Sequence, residues 1–302
     1  MRRGAYIASP GNAATPHGRV LHKLQLFFEV VKFEHTVFAM PFAYIGMLLA
    51  AGGLPTWRQF LWITVAMVAA RTLAMSANRL LQRREDAANP RTARRAVPTG
   101  RVRVWEVAAL ALGSLAVFLA AAAQLNRLAL YLAPVAAVAV VGYSYVKYWS
   151  WLTHFVLGWA DAIAPAGGWI AVRGSVSGEP VLLAFAVATW IGGFDVLYAC
   201  QDVEFDKRYG VHSIPRRFGI AGALWWARGM HAAAAVALLA LALWMGLAWP
   251  YYFGWAVSAA LLVYEHRLVK PHDLSRLDTA FFNVNGYVAI VMFLATLGAM
   301  YA

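Results

Sequence analysis

The chain reads as an all-α membrane protein, a bundle of about nine transmembrane helices. Composition, the length of the apolar runs and the charge of the connections all point there. Of its 302 residues 62% are hydrophobic and 13% charged, against roughly 45–50% and ~25% in soluble domains. Lipid is therefore the solvent for most of the chain. Runs such as Val107 to Ala123 and Ala232 to Trp249 approach the roughly 17–25 helical residues needed to cross a ~30 Å hydrocarbon core. A membrane β-barrel would instead show ~10-residue segments of alternating polarity, and the sequence has none.

Apolar length, punctuated by Gly, Pro or charge, places spans at 27–52, 58–82, 104–124, 127–146, 151–172, 181–201, 220–247, 250–266 and 279–301. The even-numbered connections carry Arg83, Arg84, Arg91, Arg94, Arg95, Arg101 and Arg103, then Lys147, then Lys207, Arg208, Arg216 and Arg217, then Arg267, Lys270 and Arg276. The odd ones carry only Arg58, Arg127 and Arg173. The positive-inside rule makes the even loops and the N-terminus cytoplasmic and, with nine spans, puts the C-terminus outside. Residues 1–24 hold Arg2, Arg3, Arg19 and Lys23 without an apolar stretch of signal-peptide length. They are expected to form a basic cytoplasmic tail, leaving 25–302 as a single domain. The net charge of +12 would suggest nucleic acid in a soluble protein. Here it sits between spans and is explained by orientation in the membrane, so no nucleic-acid partner is expected. Cys200 is the single cysteine, which excludes an internal disulfide and a multi-cysteine metal cluster.

Two polar stretches interrupt this apolar pattern. In the segment from Gly193 to Gly219, Asp195, Asp202 and Asp206 are spaced seven and four residues apart, which on a helix puts them on one face with Tyr198 and Ala199 between them. Carboxylates in a membrane helix cost about 2.5–3.5 kcal/mol each on insertion scales and are seldom kept without a partner or a purpose. Hard oxygen ligands at this spacing suit Mg²⁺, which takes one or two carboxylates together with phosphate oxygens. The plainer alternative is a helix end reaching the headgroups, with Asp206 paired to Lys207 or Arg208. After the second span Asn78, Gln82 and Asp86 recur every four residues and form another polar face. Each stripe precedes an Arg-rich loop, as a magnesium–diphosphate site requires: acids hold the metal, and cations bind the remaining phosphate oxygens. Some of these arginines serve only as topology anchors. Arg79, in the same turn as Asn78, is the best functional candidate among them.

Lys147 and Tyr143 lie one turn apart at another span end. Lys147 is read either as a phosphate or acceptor-carboxylate ligand or as a snorkelling lysine. His35, His154 and His212 are possible proton acceptors, but the sequence shows no partner for them and a structural role is the simpler assignment.

These motifs resemble the UbiA-type membrane aromatic prenyltransferases over nearly the whole chain from about Leu26. Tyr198, Ala199, Asp202 and Asp206 match one signature of that family. Asn78 and Asp86 match the other, whereas Gln82 stands where the family usually has aspartate. Tyr148 follows Lys147 where family members usually have arginine. The stretches from Lys32 and from His212 are closest to the 4-hydroxybenzoate polyprenyltransferase-like branch. The resemblance implies nine helices around a central cavity, with diphosphate at the cytoplasmic mouth and a lateral opening to membrane lipid. It implies Mg²⁺-dependent transfer of a polyprenyl group from polyprenyl diphosphate to an aromatic acceptor, 4-hydroxybenzoate or a related hydroxynaphthoate, for ubiquinone or menaquinone synthesis in the inner (plasma) membrane. On this reading Asp195, Lys147, Arg79 and Tyr198 are the catalytic candidates. Asn78, Gln82, Asp86, Asp202 and Asp206 are the ligands of the metal and diphosphate, with the metal itself on Asn78, Asp86, Asp202 and Asp206.

Gln82 keeps a carbonyl oxygen but no charge, and three readings compete: a tuned but active metal site, a carboxylate supplied by Glu85 instead, or an impaired enzyme. Glu85 lies about 60° around an ideal helix from Gln82, so the first is expected, with reduced metal affinity. A membrane transporter and a non-catalytic isoprenoid-binding relative are the alternatives in other classes. All of this requires the two polar faces to meet across the bundle.

Overall fold

The structure, a computed structural model, describes residues 16–302, and their side chains except at 16–21 and 33–39. Residues 1–15 of the expected tail and the side chain of His35 therefore lie outside the described residues. Twelve α-helices follow one another over the described residues: α1 (Pro16–Val31), α2 (Phe33–Ala51), α3 (Trp57–Leu81), α4 (Arg83–Ala88), α5 (Val104–Leu125), α6 (Arg127–Val146), α7 (Thr153–Arg173), α8 (Gly178–Ala199), α9 (Val203–Tyr209), α10 (Ile214–Met245), α11 (Trp249–Leu268) and α12 (Asn285–Ala299). Among the described residues the only β feature is an isolated bridge between Lys270 and Asp273. The all-α membrane reading holds.

Each expected span coincides with a long helix, and among the described residues seven segments are long and apolar enough to cross a membrane. Neither α2 nor α11 is in that set; α11 carries Glu265, His266 and Arg267 at its end. The first span departs from expectation. Its helix is divided at Lys32, a non-glycine residue at φ 47°, so the amphipathic α1 meets α2 at an angle that an unbroken span would not allow. The seventh span, expected from residue 220, begins at Ile214 behind the Ser213 cap and is broken at Gly219, where φ is 71°. A residue with a Cβ resists that left-handed value; glycine does not.

Water does not drive helix association inside lipid, so packing depends on close approach of small residues. A Cβ on Gly158 of α7 would run into the carbonyl oxygen of Ala188 in α8, and one on Gly168 would meet that of Ala43 in α2. Trp169, Leu183, Val187, Leu241, Tyr251 and Met292 complete the main apolar cluster between α2, α7, α8, α10, α11 and α12. Gly158→Val should lower the melting temperature of the detergent-solubilised protein, by a loss of about 1–3 kcal/mol or more typical of overpacking. Gly113→Ala, where a Cβ meets nothing within 4 Å, is the matched control and should melt like the parent.

Candidate functional site

The antiparallel run of helices brings α4 and α9 to the same end of the bundle, and there a cavity of about 680 Å³ opens. Its mouth is polar and its depth apolar. Helix α3 stops at Leu81 and α4 resumes at Arg83, with Gln82 as the joint. The four-residue ladder survives the joint: Gln82 N–H donates to Asn78 O at 3.0 Å and Asp86 N–H to Gln82 O at 2.8 Å. Asn78, Gln82 and Asp86 all line the cavity, and the Asn78 amide donates to Ser144 Oγ at 3.1 Å.

The second stripe needs a correction. No single helical face carries it, because α8 ends at Ala199, a 3-10 turn covers Cys200–Asp202, and α9 follows. Asp195, Asp202 and Asp206 nevertheless all reach the cavity wall. Asp206 is not paired with Lys207 or Arg208. Its Oδ2 accepts from Ser213 Oγ at 2.6 Å, while Lys207 bonds Glu204 at 2.9 Å. Cys200 is buried, as a core residue would be.

The two polar stretches meet. Asp202 accepts from Arg91 Nη2 at 2.6 Å, Arg91 Nε at 3.0 Å and Asn89 Nδ2 at 3.0 Å, so the loop behind the first stripe grips the acid of the second. Asp86 is held by Arg95 at 2.7 Å and by the buried Arg79 at 3.4 Å. Tyr198 lies under Arg91, 5.3 Å from its guanidinium carbon, and stacks on Phe281 at 4.1 Å. Phe42, Trp190, Phe194 and Phe281 continue as an aromatic wall, with centroid spacings of 4.6, 5.1 and 5.2 Å. A π-helical turn, Thr279–Val284, carries Phe281 into that wall. Such turns concentrate at functional sites.

Cations crowd the mouth. Lys32, Arg79, Arg91, Arg95 and Lys147 all line it. Burial lowers the Lys147 ammonium from its ordinary range, while Glu85, Asp86, Asp206 and Asp202 pull the other way. Sequence reasoning passed over Lys32 as a site residue, since nothing local marks its left-handed backbone.

Deeper in the cavity two further pairs appear. His154, expected to lack a partner, bonds Asp195 Oδ2 through Nδ1 at 2.7 Å. The two residues are 41 apart in the chain, so the pairing is a product of the α7–α8 packing. Arg71 of α3 bonds Asp161 of α7 at 3.0 Å, and its Nε makes no hydrogen bond among the described residues. Sequence reasoning missed this pair too. The signal was present: each is a charge well inside an expected span, and such charges mark sites by default.

Among the described residues no three His, Cys, Asp or Glu side chains stand together closely enough to hold a metal by themselves. The donors that do line the mouth are carboxylates and amides from the two polar stretches. That set fits Mg²⁺, which completes its octahedron with water and phosphate oxygens rather than a full protein cage.

A sequence model of the UbiA prenyltransferase family matches residues 39–297. The chain belongs to the UbiA prenyltransferase family. It is 27% identical over 254 residues to the 4-hydroxybenzoate octaprenyltransferase of Aliivibrio fischeri, covering 82% of this chain and 87% of that one. It is 30% identical over 239 residues to the enzyme of the same name from Citrobacter koseri, covering 78% and 82%. Among solved structures, the apo UbiA homolog from Aeropyrum pernix superimposes with a TM-score of 0.81 at 32% identity, covering 88% of this chain and 98% of that one. The UbiA homolog from Archaeoglobus fulgidus bound to GPP and Mg²⁺ gives a TM-score of 0.70 at 18% identity, covering 90% and 99%.

Tyr148, one of the two positions where this UbiA-family chain departs from the usual pattern, reaches the helical turn that follows the other. Glu85, three residues past Gln82, accepts a hydrogen bond from the Tyr148 hydroxyl at 2.9 Å. Burial, reinforced by Glu85, raises the Tyr148 phenol above its ordinary range, so it stays protonated and donating.

The cation cluster should bind anions by charge. In Lys32→Met the affinity for inorganic pyrophosphate should fall roughly tenfold, the scale of one charged hydrogen bond, as read by calorimetric titration.

Proposed function

We propose that this UbiA-family membrane prenyltransferase moves a polyprenyl group from polyprenyl diphosphate to a carboxylated aromatic acceptor, 4-hydroxybenzoate or a related hydroxynaphthoate, in ubiquinone or menaquinone synthesis. One observation carries the reading. The anion-binding mouth, with its acids and cations, opens onto an aromatic-walled cavity whose depth holds the half-buried guanidinium of Arg71.

Each part then has a task. Lys32, Arg91, Arg95 and Lys147 bind diphosphate oxygens by charge-assisted hydrogen bonds. Asn78, Gln82, Asp86, Asp202 and Asp206 are the groups that would hold Mg²⁺, which when bound neutralises the charge that develops on the leaving diphosphate. Arg79, at 4% exposure, braces Asp86 from beneath. The rings of Phe42, Trp190, Phe194, Tyr198 and Phe281 face the allylic carbon, where a cation over an aromatic face is stabilised by roughly 0.5–2 kcal/mol per contact. Their apolar bulk keeps water from capturing that carbon first. Arg71, steadied by Asp161, anchors the acceptor carboxylate. Asp195, with one carboxylate oxygen tied to His154, takes the proton that the ring gives up on substitution.

The basic residues of α4 and the loop behind it, and those of α9 and the first turn of α10, support a cytoplasmic mouth, with the N-terminus inside, the C-terminus outside and the plasma membrane as the site. Sequences similar at 27–30% carry the 4-hydroxybenzoate octaprenyltransferase name, which supports that acceptor class. Tail length is not assigned.

Membranes containing the protein, supplied with a prenyl diphosphate, Mg²⁺ and a panel of aromatic acceptors, should yield a prenylated arene. Correctly inserted protein that forms none of these products would sink the proposal. Asp202→Asn should lower kcat roughly 10²–10³-fold, the scale for losing one electrostatic stabiliser. Arg71→Met should raise KM for carboxylated acceptors while leaving KM for the prenyl diphosphate near the parent value.

A further inference from the structure

Glu85 stands apart from the other acids of the mouth. Asp86 is shared between Arg95 and Arg79, and Asp202 is bound by Arg91. Asp206 accepts from Ser213. Glu85 has no arginine or lysine at ion-pair distance among the described residues. Its Oε1 is fixed by Tyr148 at 2.9 Å, and its Oε2 is buried with no donor. A buried carboxylate oxygen left in that condition is costly unless something cationic compensates it.

Its position narrows what that cation is. On an unbroken helix Glu85 would turn away from the Asn78–Gln82–Asp86 face by about 60°. The joint at Gln82 removes that objection, because Gln82, Glu85 and Asp86 all line the same cavity mouth. Glu85, Asp86, Asp202, Asp206 and Lys147 all line that one cavity. Gln82 contributes an amide oxygen there but no charge.

We propose that Glu85, oriented by the Tyr148 hydroxyl, supplies the anionic oxygen that Gln82 lacks and so completes the magnesium–diphosphate site. The inference rests on the diphosphate reading above and names its missing ligand. Glu85 is the ligand, through the metal or a water bound to it, and Tyr148 is a positioning residue. Tyr148 fixes one carboxylate oxygen and so limits how the carboxylate can turn, the way outer hydrogen bonds orient metal-binding carboxylates. The competing view is that the Glu85–Tyr148 bond only ties α4 to the segment after α6. That role would alter melting temperature and leave ion affinity unchanged.

The test needs no turnover. Full-length protein in nanodiscs is titrated with Mg²⁺ in the presence of inorganic pyrophosphate, by calorimetry, with the melting temperature measured alongside. Glu85→Gln should weaken Mg²⁺ binding roughly 10–100-fold, the range seen when a metal-orienting group is lost. Tyr148→Phe should shift it the same way by less. Gln82→Asp placed on Glu85→Gln should return affinity toward the parent value. Parental Mg²⁺ affinity in Glu85→Gln, with Asp202→Asn losing it, would overturn the inference and leave the diphosphate site standing. Failure of the folded double variant to recover would overturn it as well. If Glu85→Gln does not insert, Tyr148→Phe carries the test, and unchanged affinity there refutes the inference. Folded parent protein that binds neither Mg²⁺ nor pyrophosphate would remove both this inference and the reading beneath it.

Discussion

Charge held away from water must be answered by opposite charge, and that constraint organises the whole polar end of this bundle. Moving an ion from water to a medium of low dielectric costs several kcal/mol even after relaxation. Asp86 and Asp202 meet that demand with arginines from the same connecting loop, residues 89–95. Arg91 reaches 111 positions along the chain to do so. The loop thereby fastens the front half of the molecule to the back half at the place where a ligand enters. Breaking a pair buried on both sides, as Asp86–Arg79 is, by removing one member typically costs about 3–5 kcal/mol, because the survivor is left buried and alone.

Below that ring of charge the fold turns to shape. Close helix approaches at Gly158 and Gly168 press α7 against α8 and α2. Elsewhere the bundle leaves space, and Phe42, Trp190 and Phe194 edge it. The π-helical turn before α12 adds one residue per turn and swings Phe281 to the same wall. Packing that is tight on one side and loose on the other leaves an aromatic-edged chamber of about 680 Å³ beneath the polar mouth.

The spans were legible because membrane thickness writes itself into the length of an apolar run, and the charge of the loops fixed their alternation. Asn78, Gln82 and Asp86 were legible as a set because helical hydrogen bonding continues across the joint at Gln82. That the joint exists was not: nothing about Gln82 or Arg83 forbids a longer helix. Lys32 is the same case, a left-handed lysine with neither Gly nor Pro beside it to signal the break. Pairings such as His154 with Asp195 depend on which helices become neighbours, which no local spacing encodes. Arg71 and Asp161 differ from these, since charges well inside two apolar spans are visible in the sequence itself.

The guanidinium groups on Asp86 and Asp202 have a kinetic corollary. A divalent ion arriving at either carboxylate meets a seat already taken, so loading is an exchange rather than a filling. Each arginine displaced from an acid is released next to where phosphate oxygens would lie, and the ion and the anion then relieve each other's cost of entry. Under the proposed chemistry neither ligand enters cheaply alone, and the mouth admits the metal and the diphosphate as a couple.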